Sequence, residues 1–228
     1  MIKNLLKNKF ELSETFSSNL KKYFKDEYES KEKKPLITEN EYSEKKTQEC
    51  CQALTEAHKQ LLVGINTFLE REDDEFSIEV ILKKFQKVAD LNSTDIHTHT
   101  ISELLEISDT DFIKMYTLAT TELNGNNLKE ASAMFFFLCW LNPTVYTPLM
   151  GWGLAEALLG NRSKAHEIYQ LCLPLAPHDP YLYFYLAVNS QLSDNMSQSK
   201  EYLEKAHHLA TENKDEPCLE MIEQFKRR

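Results

Sequence analysis

The feature that most constrains this chain is an echo at an interval of 34 residues through its C-terminal half. It puts Ala119, Gly153 and Ala187 in register, followed by Ala131, Ala165 and Ser199. The same offset aligns Phe135 with Tyr169 and Leu203, and Leu138 with Cys172 and Ala206. Pro143 aligns with Pro177, where the third copy carries Thr211. A period of this length describes two antiparallel helices that cannot bury their apolar faces alone and must stack on similar neighbours. The small residues mark where the first helix of each hairpin crosses the second, because a larger side chain would push the axes beyond about 8–10 Å. Leu118, Trp152 and Leu186, with Phe135, Tyr169 and Leu203, supply the bulk around those contacts.

The period identifies three tandem tetratricopeptide helix-turn-helix repeats, an all-α solenoid, over about 112–145, 146–179 and 180–213. The connectors agree. Asn124-Gly125-Asn126-Asn127, Gly160-Asn161-Arg162-Ser163 and Ser193-Asp194-Asn195 fall inside the hairpins, and Gly and Asn tolerate positive φ. Pro143 and Pro177 close repeats one and two. In repeat three Glu216-Pro217 instead opens a last helix, Cys218 to Lys226, with Leu219, Ile222 and Phe225 on one side. This amphipathic segment, within 214–228, reads as the cap that such arrays need.

Composition fits a helical protein: five Gly and seven Pro in 228 residues, and no sheet-like alternation. A formal net charge of −10 argues against a nucleic-acid binder, which needs a basic surface against phosphate. The first residues, Met1 to Lys7, are too short and interrupted for a signal-peptide core, and no run approaches the ~18 apolar residues of a membrane span. A cytosolic protein without stable membrane insertion is expected. The five cysteines, Cys50, Cys51, Cys139, Cys172 and Cys218, lack Cys-x-x-Cys spacing and read as reduced packing thiols.

Residues 1–48 form a charged arm, partly helical or disordered, with an amphipathic start at Leu5, Leu6, Phe10, Phe16, Leu20 and Phe24 and a polar stretch from Ser30 to Lys46. A helical extension occupies 49–95. Its first helix runs from Cys51 to Leu69 on Leu54, Ala57, Leu61, Ile65 and Phe68, and its second from Ser77 to Asp90. The acidic run 70–75 reads as a solvated turn rather than a metal site, and Asn92-Ser93-Thr94-Asp95 breaks the chain before 96–213.

The segment Thr100-Ile101-Ser102-Glu103-Leu104-Leu105-Glu106-Ile107-Ser108, leading into Tyr116-Thr117-Leu118-Ala119, resembles the lead-in helix and first repeat of the class II (translocator) chaperones of bacterial type III secretion. Gly151-Trp152-Gly153-Leu154-Ala155 and Phe137-Leu138-Cys139-Trp140-Leu141-Asn142 carry the same resemblance, which covers about half the chain. It implies a lead-in helix before the repeats and a chaperone of the bacterial cytoplasm, commonly homodimeric. Such a chaperone keeps hydrophobic translocator proteins soluble and unassembled before export. It also implies cargo held as an extended P-x-L-x-x-P-like segment, whose prolines restrict the free chain and whose leucine needs an apolar socket.

Helical periodicity turns positions 2, 5, 9 and 12 of each first helix to the concave side. These are Ile113, Tyr116, Thr120 and Leu123 in repeat one. Repeat two contributes Thr147, Met150, Leu154 and Ala157, and repeat three Tyr181, Phe184, Val188 and Gln191. The stripe carries no lysine or arginine and is the expected cargo groove. Tyr116 matches a tyrosine that lines the family's groove, while Leu123 stands where the family has a second tyrosine.

The Lys/Asn/Arg clamp with which tetratricopeptide adaptors grip a C-terminal carboxylate is absent, since its positions hold Tyr116, Thr120, Gly151, Tyr181 and Tyr185. A tetratricopeptide scaffold or regulator of the secretion apparatus, using the groove on a different partner, is the alternative. No catalysis, cofactor or metal is expected. His97-Thr98-His99 and His207-His208 lack the i,i+3 or i,i+4 spacing and the neighbouring acidic ligands of a helical metal site, and adjacent Cys50 and Cys51 point in different directions.

Overall fold

In the computed structural model the described residues are 14–31, 38–71 and 100–227. They form ten helices and no strand among themselves: α1 (Glu14–Ser30), α2 (Glu39–Glu70), α3 (Ile101–Leu104), α4 (Asp109–Asn124), α5 (Leu128–Leu141), α6 (Tyr146–Leu158), α7 (Arg162–Cys172), α8 (Pro180–Leu192), α9 (Met196–Asn213) and α10 (Glu216–Lys226). The amphipathic start before residue 14, the expected helix Ser77 to Asp90, the break at 92–95 and His97-Thr98-His99 lie outside the described residues. The chain divides into two compact bodies, residues 1–62 and 63–228.

In the N-terminal body α1 and the first part of α2 pack around two tyrosines. Tyr28 and Tyr42 are buried with ring centroids 5.5 Å apart. The Tyr42 hydroxyl donates to Glu27 at 2.9 Å and accepts from Lys31 Nζ at 2.7 Å. Hydrogen bonds from Lys31 and Tyr42 hold the Glu27 carboxyl below its usual range. The stretch read as polar from Ser30 to Lys46 is helical from Glu39 onward, so a boundary near residue 48 falls inside α2. Thr38 and Glu41 explain the earlier start. The Thr38 backbone N–H donates to Glu41 at 2.9 Å while the Glu41 N–H donates to the Thr38 hydroxyl at 3.3 Å, a reciprocal cap.

In the C-terminal body the helices follow one another as hairpins, α4 with α5, α6 with α7 and α8 with α9. The left-handed residue of each hairpin turn recurs at the same interval, Asn126 (φ 62°), Gly160 (φ 85°) and Asp194 (φ 59°). Two residues before Pro143 α5 ends, and α7 ends ahead of Pro174 and Pro177; with Thr211 instead of proline, α9 continues to Asn213. Asp215 then caps α10 by accepting from the Cys218 N–H at 3.1 Å.

The small-residue register is enforced by contact. A Cβ on Gly153 would lie 2.4 Å from Cε1 of Tyr169, and one on Gly151 2.5 Å from Cε1 of Phe135. Ala119, Ala131, Ala165 and Ala187 are fully buried. Ser199, the polar member of the series, donates its hydroxyl to the Ala187 carbonyl at 2.8 Å, so its burial costs little. Burial drives the Cys139 and Cys172 thiols upward, the latter to about 12, and that of Cys218 to about 11, which leaves all three protonated packing groups.

The lead-in helix α3 is a single turn. Thr100 and Glu103 form a capping box on α3, but Glu106 takes a left-handed φ of 50° and Ser108 caps the new helix α4. The longer support comes from the last turns of α2. Gly64 lies so close to α5 that a Cβ there would sit 2.4 Å from the Ala133 carbonyl oxygen. Phe68 is fully buried with its ring 5.8 Å from Phe137.

Two buried carboxylates tie first helix to turn. Glu122 accepts from Asn127 Nδ2 at 2.7 Å and from Arg71 Nε at 2.6 Å. Glu156, 2% exposed, accepts from Ser132 Oγ (2.6 Å), Asn161 Nδ2 (2.7 Å) and Lys164 Nζ (2.8 Å). Burial alone would raise the Glu156 pKa; the hydrogen bonds from Lys164, Ser132 and Asn161 together outweigh it and leave the carboxyl below its ordinary value.

Replacing Gly64 by Ala is expected to cost about 1–3 kcal/mol, because the blocking atom is backbone and cannot rotate away. Thermal unfolding followed by circular dichroism measures it, and an unchanged Tm would contradict the close approach. The Glu156 stabilisation is complete above the unfolded carboxyl pKa of 4.5 and is lost as pH falls through the lower folded value. Melts from pH 6 to pH 3 should therefore show wild type losing more Tm than Glu156→Gln, whose stability carries no term from that carboxyl.

Candidate peptide groove

The first helices α4, α6 and α8 lie in sequence along the array, and each carries four of the twelve residues expected to line a groove. In repeat one Ile113 is exposed, and Tyr116, Thr120 and Leu123 are half-buried. The Tyr116 ring stands edge-on to Phe135 at 5.8 Å, and the Thr120 hydroxyl is spent on the Tyr116 carbonyl at 2.9 Å. Thr147, Met150, Leu154 and Ala157 of α6 are half-buried, and Met150 packs on the core of repeat two.

Repeat three departs from an open stripe because α10 folds onto it. Phe184 is buried, with the Phe225 ring 5.7 Å away, and the Tyr181 hydroxyl donates to Asp215 at 3.1 Å. Burial first, then the Asp215 carboxylate, pushes the Tyr181 phenol up to about 12, so it remains a donor. Both residues pack on the capping helix. Val188 and Gln191 stay half-buried.

Five of the twelve residues, Leu154, Ala157, Phe184, Val188 and Gln191, line one cavity of about 540 Å³. Ile113, Tyr116, Thr120, Leu123, Thr147, Met150 and Tyr181 do not line it. Its other walls are Leu158, Tyr169, Tyr185, Asn189 and Leu192, with Met221, Gln224 and Phe225 from α10. Periodicity on the first helices alone leaves these out. Leu158 and Leu192 carry a usable signal, being 34 residues apart and each more than 40% exposed despite their apolar side chains. The cavity wall holds no charged residue, and its half-buried amide Gln191, with Gln224, can pair with a backbone. An uncharged, largely apolar recess with a few amide groups suits a large apolar side chain on an otherwise extended segment.

The remaining histidine pair lies elsewhere. His207 and His208 line a shallow charged depression of about 560 Å³ between α9 and α10, with Lys200, Glu204, Glu212 and Lys226. His208 Nδ1 stands 3.2 Å from Glu212 with both side chains exposed. Among the described residues no group of three His, Cys, Asp or Glu side chains could hold a metal ion, and no helix is long and apolar enough to cross a membrane.

No family model matches the chain. A curated plant protein, the BTB/POZ domain and ankyrin repeat-containing protein NPR1 of Malus hupehensis, is 22% identical over 167 residues; the match spans 66% of this chain and only 28% of that protein. Among solved structures, the type III secretion translocator chaperone SycD of Yersinia enterocolitica superposes with a TM-score of 0.50 at 21% identity, over 55% of this chain and 98% of SycD. A chain of the CopN-Scc3 complex does so with a TM-score of 0.50 at 18% identity, over 71% of this chain and 98% of that one. The chain therefore has the all-helical, tetratricopeptide-like fold of the type III secretion translocator chaperone SycD.

Proposed function

We propose that this protein is a type III secretion chaperone of the bacterial cytoplasm that holds a hydrophobic translocator in its concave groove until export. The observation that carries the reading is the uncharged recess between repeats two and three. Leu158 and Leu192 stay exposed there, and burying them against cargo supplies the driving force. The SycD fold supports the assignment, as does the absence of a carboxylate clamp. An extended segment of the P-x-L-x-x-P type fits, its leucine entering beside Leu154 and Val188 while Gln191 and Gln224 meet its backbone. Binding by such a surface needs no catalytic group, and the protein works as a homodimer.

A second reading is a scaffold or regulator of the secretion apparatus that uses the same groove on a different partner.

Co-expression with a translocator and affinity purification separates the two. Leu154→Glu places a carboxylate in the apolar recess and is expected to lower co-purified translocator at least tenfold, with helicity retained. Full retention of the translocator by this variant would contradict the groove assignment. Tyr116→Ala removes a ring from the far end of the same face and is expected to weaken cargo binding by about 1–2 kcal/mol, measured by titration calorimetry with a translocator peptide. Light scattering of the purified chain should give about twice its 26.6 kDa mass.

A further inference from the structure

Repeat three lacks the buried carboxylate of its two predecessors. Glu122 and Glu156 each accept from the asparagine that opens the next helix, Asn127 or Asn161, at 2.7 Å, and each meets one cation. Thirty-four residues on, the positions hold Ser190 and Asn195. Ser190 keeps the backbone half of the arrangement, since the Asn195 N–H donates to its carbonyl at 2.9 Å as Asn161 does to Glu156. Its side chain stops short. Ser190 is 2% exposed, and neither its hydroxyl nor Oδ1 of the equally buried Asn189 has a hydrogen-bond partner. The Asn195 amide turns instead to Gln198 Oε1 at 3.0 Å.

These residues border a cavity of about 290 Å³ whose other walls include Arg162, Ser163 and His166. It opens at the N-terminal ends of α7 and α9, neither of which has an acidic residue in its first turn. Asn161 makes no side-chain cap on α7, and its Nδ2 donates to Glu156 at 2.7 Å. The uncapped N-terminus of α7, a guanidinium and an imidazole favour an anion, with Glu167 the one carboxylate on the wall; α9 is already capped by Asn195, whose Oδ1 accepts from the Gln198 N–H at 3.3 Å. Arg162 already reaches the Leu192 carbonyl at the rim, which holds its charge beside the opening. The cavity accommodates a group the size of an acetate or propionate, the part of a glutamate side chain that serine lacks.

We propose that this cavity binds a carboxylate supplied from outside the repeat. The ligand accepts from the Ser190 hydroxyl, the Asn195 amide and Arg162, and so rebuilds in trans what Glu122 and Glu156 provide in cis. The carboxylate belongs either to a free small acid or to an acidic side chain of a bound protein. The site is separate from the apolar groove assignment and stands if that assignment fails.

The test follows backbone amide shifts and Tm of the full chain during titration with sodium glutarate or with the peptide acetyl-Gly-Glu-Gly-amide, against sodium chloride of equal ionic strength. Saturable shifts at Ser190 and Asn195 support the proposal; response to both probes assigns a free acid, and response to the peptide alone a protein side chain. Ser190→Glu should raise Tm by itself and abolish the response. Arg162→Gln, at an exposed position, should weaken binding at least tenfold, and it decides the matter where Ser190→Glu does not fold. Shifts no larger than those in chloride, an Arg162→Gln affinity equal to wild type, or a folded Ser190→Glu that still binds overturns it.

Discussion

The second hairpin and its junction with the first both depend on a ring lying against a position of α6 where no side chain can stand, while the other hairpins keep a fully buried alanine, Ala119 or Ala187, at the matching crossing. Tyr169 occupies the space a Cβ on Gly153 would need, and Phe135 does the same to Gly151. With separation fixed in this way, the second helix of one repeat presents its far side to the next, and Leu149, Ile168, Leu182 and Leu186 close into a continuous core. The left-handed residue in each turn, at Asn126, Gly160 and Asp194, reverses the chain within a few residues, so the period is set by turn geometry as much as by packing.

The ends of the array are handled differently from its middle. A solenoid leaves apolar faces at both termini, and here the last turns of α2 cover one of them through Gly64, Ile65 and Phe68. At the other end α10 buries Cys218 and Ile222 and lays Phe225 against Phe184. The second contact has a consequence for recognition. Because α10 folds over the third repeat, Phe184 of the expected stripe becomes core, and Met221, Gln224 and Phe225 become walls of the recess. The cap therefore shapes the groove as well as ending it.

Much of the fold is legible in the sequence because helical hairpins are local. The small-residue register, the prolines that stop α5 and α7 and the turn residues all act within one repeat. What escaped was set by partners distant in sequence. Gly64 reads as a helix-weakening residue until the backbone of Ala133 is placed beside it. The Thr38-x-x-Glu41 cap is visible in principle but sits in a mixture of lysine and glutamate with no apolar period to follow it. For the groove, periodicity picks out one face of α4, α6 and α8. It could not say that Tyr181 and Phe184 face α10, since an amphipathic helix declares an apolar side without declaring what covers it. Four half-buried or exposed positions of repeat one, Ile113, Tyr116, Thr120 and Leu123, remain apart from the recess for the same reason: the distance along the array is not written in any single repeat.

The central claim is that cargo lies on the concave face beside α8. A photoreactive phenylalanine analogue placed at Val188, compared with one at exposed Leu171 on the second helix of repeat two, tests this in cells that express a translocator. The account predicts a crosslinked adduct of chaperone plus translocator mass from Val188 and none from Leu171. An adduct from Leu171 with none from Val188 would contradict it.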